Sequence, residues 1–421
     1  MLYSTYTLLA ILLLSRTAHS ITPVILFTQQ SQNILFQDWF NYITLCFAPL
    51  IAHVIAGVAS PTVINPHAKE PTWSALLSHF NPISIVWRWY AIADRRLRAY
   101  SWDAIDMVAC NAVFWNTENA RWDGSEEIMV RSRAWITRTP RLSHVSLVST
   151  SGLTTVILTL QGTRACFLIF ASLNPKTTYG FAQGLPSVFL PLGCLGLMRL
   201  PAALWLSDDH IYLEVPETDS YSAQNVGEPS AAIVEEVGGS LCELDPLTSN
   251  RAVATAAVTP PFTTHSHLSE LTTSIRPRLH SKNTRIAFLY RIWWFISIIG
   301  LVGGSAMSTL SFSWSHSPYM SLSGLLFNVL YFILTTATVL ITCTYILLGR
   351  TQSTLIPCIH ATWYKVFTVV LIVMAVVTTI VTALETRQLL DGSLTTLPEF
   401  QCNTTAGLCV PVSRGHGNSN I

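Results

Sequence analysis

Of the 421 residues, 50% are hydrophobic and only 11% are charged, against about 25% charged in an average soluble protein. A water-facing globule cannot absorb that much apolar surface. The net charge of +1 carries no nucleic-acid footprint and no steering field, so a nucleic-acid partner is not expected.

Residues 1–20 hold a short apolar stretch, Thr7 to Leu14, then Arg16 and Ala18-His19-Ser20. A small-x-small cleavage pattern after a short apolar core reads as a signal peptide, followed by a lumenal segment over 21–39. A helix needs about 20 predominantly apolar residues to cross hydrocarbon, because every peptide group there must bond internally. Six stretches qualify: Phe40 to Ser60, Val145 to Gln161, Leu185 to Leu206, Ala287 to Ser305, Leu322 to Leu348 and Val366 to Leu384. The third is interrupted by Pro186, Pro191 and Pro201 and carries Arg199. The expected fold is therefore an all-α polytopic transmembrane helical bundle of about six spans: one over 40–60, two over 145–206 and three over 287–384.

Cytoplasmic loops hold the excess of Lys and Arg. Residues 61–144 hold ten, 207–286 five and 349–365 two, whereas Arg164, Lys176, Arg387 and Arg414 are the four on the other side. Seventeen against four orients the chain. Six spans then return the tail, 385–421, to the lumenal or extracellular side. There Asn403-Thr404-Thr405 is a glycosylation acceptor, and Cys402 and Cys409 lie close enough in sequence for a disulfide. The other seven cysteines lack metal-ligand spacing and read as small hydrophobes. The expected location is a secretory-pathway membrane.

Region 61–144 is expected to form a cytoplasmic Trp/Arg-rich helical subdomain. Ile83 to Tyr90 is too short to span and runs into Asp94, Arg95, Arg96 and Arg98, which suggests an interfacial helix. Trp87 and Trp89 suit the headgroup level, and Arg95, Arg96 and Arg98 could meet anionic lipid headgroups, so the bilayer is the expected partner. In 121–135, the Glu127 to Arg131 spacing puts opposite charges on one helical face. The carboxylates Asp103, Asp106, Glu126 and Glu127 would serve an interfacial enzyme, but no nucleophile, metal set or phosphate loop accompanies them. Residues 207–286 carry ten acidic and no basic residues from Asp208 to Asp245, and Arg276, Arg278, Lys282 and Arg285 at the end. That composition reads as a disordered linker with its basic end at the membrane.

Within the spans, His53 is the ionisable residue nearest mid-depth, suited to proton coupling or to a neutral imidazole bonded to a neighbouring helix. Arg199 and Arg291 lie toward span ends and could snorkel to phosphates. Gly300 and Gly304 form a GxxxG that permits close helix approach. The pair His265 and His267 is too small for a metal site, so neither a metal nor a cofactor is expected. Three spans, a linker and three more spans match the layout of inverted-repeat transporters with broken helices. Two functions follow. The first is a non-enzymatic membrane scaffold or sensor acting through residues 82–141. The alternative is a secondary transporter of a neutral or anionic solute using His53 and the Pro-rich third span.

The stretches WRWYAIADRRLRAYSWDAIDMVACNAVFW (87–115), RWDGSEEIMVRSRAW (121–135) and LDGSLTTLPEFQCNTT (390–405) resemble multi-pass membrane proteins of filamentous fungi. The resemblance spans most of the chain and implies the same polytopic fold. It brings neither an activity nor site residues.

Overall fold

The computed structural model describes residues 24–62, 71–116, 119–172, 184–207, 211–212, 279, 285–314, 319–389, 394–397, 400–403 and 408–411. The expected signal segment, the His265/His267 pair and nearly all of the 207–286 linker lie outside these residues.

Long helices dominate. Helix α1 is Phe36–Gly57, α2 Pro82–Arg98, α3 Ala104–Asn111, α4 Glu126–Ser132, α5 Thr150–Ser172, α6 Leu190–Gly196, α7 Arg285–Trp314, α8 Leu322–Leu347 and α9 Thr362–Glu385. Four segments among the described residues are long and apolar enough to cross a membrane: α1, the stretch Leu185–Ala202, α8 and α9. At 1.5 Å per residue, the 22 residues of α1 reach about 33 Å, the thickness of a hydrocarbon core. Helices α5 and α7 are 23 and 30 residues long. α5 starts five residues later than expected and continues past Arg164, which only interrupts the apolar run and leaves the backbone helical.

The expectation of purely helical structure needs one amendment. Short ladders close both ends of the bundle, where loops must pair their peptide groups locally. Strand β1 (Val24–Leu26) pairs in parallel with β2 (Tyr319–Ser321) beside the far ends of α1 and α8. At the same end Gln30 N–H donates to Leu384 O at 3.0 Å, and Glu385 accepts from Ser323 N–H at 2.8 Å. The other end carries Pro61–Thr62 paired with Val113–Asn116, which pairs with Arg121–Asp123. Two-residue and three-residue segments at Ile211–Tyr212 and Ile136–Arg138 also pair there. The starts of α5, α7 and α9 and the ends of α1, α8 and the Leu185–Ala202 stretch all meet this second, subdomain end.

The Leu185–Ala202 stretch is broken as its prolines require. Only the seven residues of α6 are α-helical, flanked by 3-10 turns at Leu185–Ser187 and Leu197–Ala202. Pro191 sits in the first turn of α6, where its missing N–H costs nothing, and Pro201 falls in a 3-10 turn, because it cannot serve an α-helix interior. This stretch packs on α5 through glycines. A Cβ on Gly162 would stand 2.7 Å from Gly193 O and 2.6 Å from Leu197 Cγ. By contrast, a Cβ on Gly300 meets nothing within 4 Å. Helices α5 and α6 make a close glycine-mediated approach, whereas the surroundings of Gly304, the second glycine of the α7 GxxxG, lie outside the described residues.

The spans are sided in reverse of a soluble helix. On α9, Val366, Val373 and Val376 are exposed while Thr368, Thr378 and Thr382 are buried. Thr368 and Thr382 satisfy their hydroxyls on their own helix, donating to Tyr364 O at 2.8 Å and to Thr378 O at 2.6 Å. Such bonding is the usual use of Thr inside a helix.

Candidate functional site

Helix α2 organises the subdomain end. Pro82 occupies its first turn and the Asn81 side chain accepts from Ile83 N–H at 3.0 Å, a capping arrangement that leaves no N-terminal donor to waste. Arg95, Arg96 and Arg98 sit in its last turn, where the negative end of the helix dipole stabilises positive charge. Every residue from Ile83 to Arg95 is buried, as is Arg98.

This burial corrects the expected interfacial helix. Trp87 and Trp89 are both 0% exposed, and Arg95 and Arg98 are 1% and 2% exposed, so none of the four faces a lipid surface. The indole of Trp87 donates to Ser353 O at 3.2 Å. Arg95 donates to Gly124 O at 2.5 Å and to Gln352 O at 2.8 Å. Arg98 spans the carboxylates of Asp94, at 2.8 Å, and Glu126. The physical reason is partnership: carbonyls from two distant loops and two carboxylates supply what water or phosphate would otherwise have to. Only Arg96, of the five residues expected at lipid headgroups, stays half-exposed. Its guanidinium lies 5.5 Å from the Trp102 ring and 5.6 Å from the Trp205 ring.

Asp94 is the hub. Besides Arg98 on its own helix, it receives Arg291 of α7, Nε to Oδ1 at 2.9 Å and Nη2 to Oδ2 at 3.3 Å. Arg291, expected to snorkel to phosphate, is thus turned inward to α2. Arg199 behaves likewise: it is 3% exposed and donates to Ala56 O, to Thr155 Oγ1 at 3.0 Å and to Ser151 O at 3.4 Å. The Asp94–Arg98 spacing of four was legible in the sequence; the Arg291 partnership, 197 residues away, had no sequence signal. Burial opposes the charge of Arg98, yet Glu126 and Asp94 outweigh it and hold the guanidinium pKa above its ordinary value.

The four candidate carboxylates do not converge. Asp103 and Asp106 form a reciprocal capping box at the start of α3, and Arg133 donates to both, at 3.1 Å for Asp103. Glu126 is taken by Arg98. Glu127 pairs with Arg131 at 2.8 Å across one helical turn, as the spacing predicts. Among the described residues no group of three His, Cys, Asp or Glu side chains could hold a metal.

His53 is 0% exposed. Its ring packs edge-on with Trp89 at 5.3 Å, and among the described residues neither ring nitrogen has a hydrogen-bond partner, so the expected bond to a neighbouring helix is absent from them. Two histidines outside the spans flank Trp122. His79 packs edge-on against its ring at 4.6 Å, and His360 Nε2 lies 3.1 Å from Trp122 O. Burial, then the charges of Arg88 and His360, push the His79 pKa down to about 4. A small cavity of about 90 Å³ opens between α1, α6, α8 and α9, lined mainly by Leu50, Phe189, Leu192, Leu334, Leu371 and Ala375. It is apolar and lacks charge.

In the tail, Phe400–Asn403 pairs antiparallel with Leu408–Pro411, and the register puts Cys402 opposite Cys409. The side chains of Cys402, Cys409 and Asn403 lie outside the described ones, and with them the expected disulfide and glycosylation. No protein family, curated protein or solved structure matches this chain.

Proposed function

We propose that the chain is a six-span membrane scaffold or sensor whose subdomain end faces the cytosol. The observation that carries this reading is the α2 keystone: a Trp/Arg helix enclosed by span ends and tied to α7 by the Asp94–Arg291 ion pair. Such an arrangement couples the subdomain rigidly to the bundle, because breaking one partner leaves a buried charge uncompensated. In this reading α5 and α7 join the four apolar segments as spans. The Lys/Arg excess sets the orientation, and the tail lies on the oxidising side with Asn403 glycosylated and Cys402 bonded to Cys409.

The enzyme reading loses its support because each carboxylate it needs is engaged by an arginine. The transporter reading is favoured by the broken Leu185–Ala202 segment alone. Against it, His53 packs on Trp89 with no exposed surface.

Proteoliposomes carrying the full chain test the proposal. Uptake of small neutral and anionic solutes should equal that of empty liposomes. A flux abolished by His53→Ala would replace the scaffold by the transporter. Endoglycosidase treatment before and after Asn403→Gln tests the sidedness, with a glycan shift expected only in the native chain.

A further inference from the structure

Arg96 is treated differently from every arginine around it. Arg88, Arg95 and Arg98 of the same helix donate to backbone carbonyls or carboxylates. The Arg96 guanidinium instead lies over two indole rings, 5.5 Å from the centre of Trp102 and 5.6 Å from that of Trp205. Its buried Nε has no hydrogen-bond partner, and among the described residues no acceptor takes a bond from its terminal nitrogens. Arg96 as a whole is half-buried. Two indole rings border its guanidinium, and no protein acceptor among the described residues occupies the fork.

The clamp sits level with the span ends. Trp205 follows Ala202, the end of the broken segment, by three residues. The Trp102 indole donates to Ser143 O at 3.1 Å, and Val145 N–H donates to Leu204 O at 2.7 Å, which joins the clamp to the chain entering α5 at Thr150. Exposed Arg141 lies two residues before Ser143 and adds positive charge to the same rim. Indoles at that depth are suited to the headgroup zone.

We propose that Arg96, clamped by Trp102 and Trp205, binds the phosphate of an anionic phospholipid in the leaflet that borders the subdomain. A guanidinium edge matches two phosphate oxygens through parallel charge-assisted bonds, which an ammonium cannot reproduce. Contact with two indole rings restrains the fork, so less side-chain freedom is lost on binding. A cytosolic leaflet is rich in such headgroups. The proposal rests on the membrane-spanning reading above, in which this end faces the cytosol.

The test is native mass spectrometry of the detergent-solubilised full chain titrated with phosphatidylserine, phosphatidylcholine and inorganic phosphate. One phosphatidylserine should bind, weakened about tenfold by Arg96→Gln and about threefold by Arg96→Lys, which keeps the charge and loses the fork. Trp205→Leu should weaken it too, through loss of the clamp. Unchanged affinity in Arg96→Gln overturns the site. Equal binding of phosphatidylcholine overturns the role of net charge, and equal competition by inorganic phosphate assigns the site to a free anion. A thermal melt of each variant separates lost binding from lost folding, with Arg96→Lys retained as the folded comparator. Titration in detergent is indifferent to sidedness, so a wrong orientation shows up in the Asn403 glycan test alone.

Discussion

Helices α2 and α9 bury opposite parts of their chemistry. α2 encloses tryptophans, isoleucines and arginines alike, with Trp87, Trp89 and Asp94 all at 0% exposure. α9 turns Val376, 52% exposed, outward and keeps Thr378, at 0%, inside. The difference is the medium. A helix surrounded by protein can hide anything that finds a partner, whereas a helix facing hydrocarbon spends its aliphatic side chains on lipid and its small hydroxyls on helix contacts. The same contrast separates Glu126, which bonds buried Arg98, from its neighbour Glu127, which is 78% exposed at its side chain.

Six substitutions break or sharpen that contrast. Asp94→Ala strips Arg98 and Arg291 of a shared partner and is expected to cost about 3–5 kcal/mol, read as a large drop in the detergent thermal midpoint and new trypsin cleavage in residues 82–141. A normal melt would show that α2 is no keystone.

Acidification comes next. His79 stays neutral in the fold down to about pH 4, whereas the unfolded chain takes up its proton below about pH 6.5. The unfolded state therefore binds more protons in that window, and stability falls as pH drops from about 6.5 to about 4. The loss is about 3 kcal/mol at 1.36 kcal/mol per pKa unit. Comparing melts at about pH 7.5 and about pH 4.5, His79→Gln should show a smaller loss than the native chain.

Gly57 touches α2 from α1. An added Cβ would lie 2.0 Å from Ile85 Cγ2, so Gly57→Ala should cost about 1–3 kcal/mol. Adding Ile85→Ala removes the closest atoms and leaves only Cβ, at 2.9 Å, so the double variant should be less damaged than the sum of the two singles. Strict additivity in a denaturation series would place the contact elsewhere.

On the lipid-facing helix the sign reverses. Thr378 Oγ1 is buried without a partner, so Thr378→Val should be neutral or stabilise by about 1 kcal/mol, since it removes an unmet polar group at constant shape. Glu127→Ala should change stability by less than about 0.5 kcal/mol, the ordinary worth of an exposed pair one turn apart. A large effect there would mean that Glu127 contacts more than Arg131.

How far the sequence could be read follows from the reach of each interaction. Local patterns were legible: the apolar runs of α1, α8 and α9, the proline breaks at 186, 191 and 201, and the Glu127–Arg131 pair all depend on residues within a turn or two. The position of α2 was not, because a Trp/Arg helix looks the same on a membrane surface and inside a bundle. Carbonyls of Gly124 and Gln352 and the guanidinium of Arg291 decide the matter. His53 shows the same limit, as its missing hydrogen bonds are a property of the pocket around it.

By itself, then, the amino-acid sequence determined that apolar helices long enough to cross a membrane must form, because a peptide group surrounded by aliphatic side chains can only bond within its own helix. Tertiary structure decided which arginines are engaged by buried partners. That choice depends on acceptors brought together from residues up to 257 positions apart, and no window of sequence contains both partners.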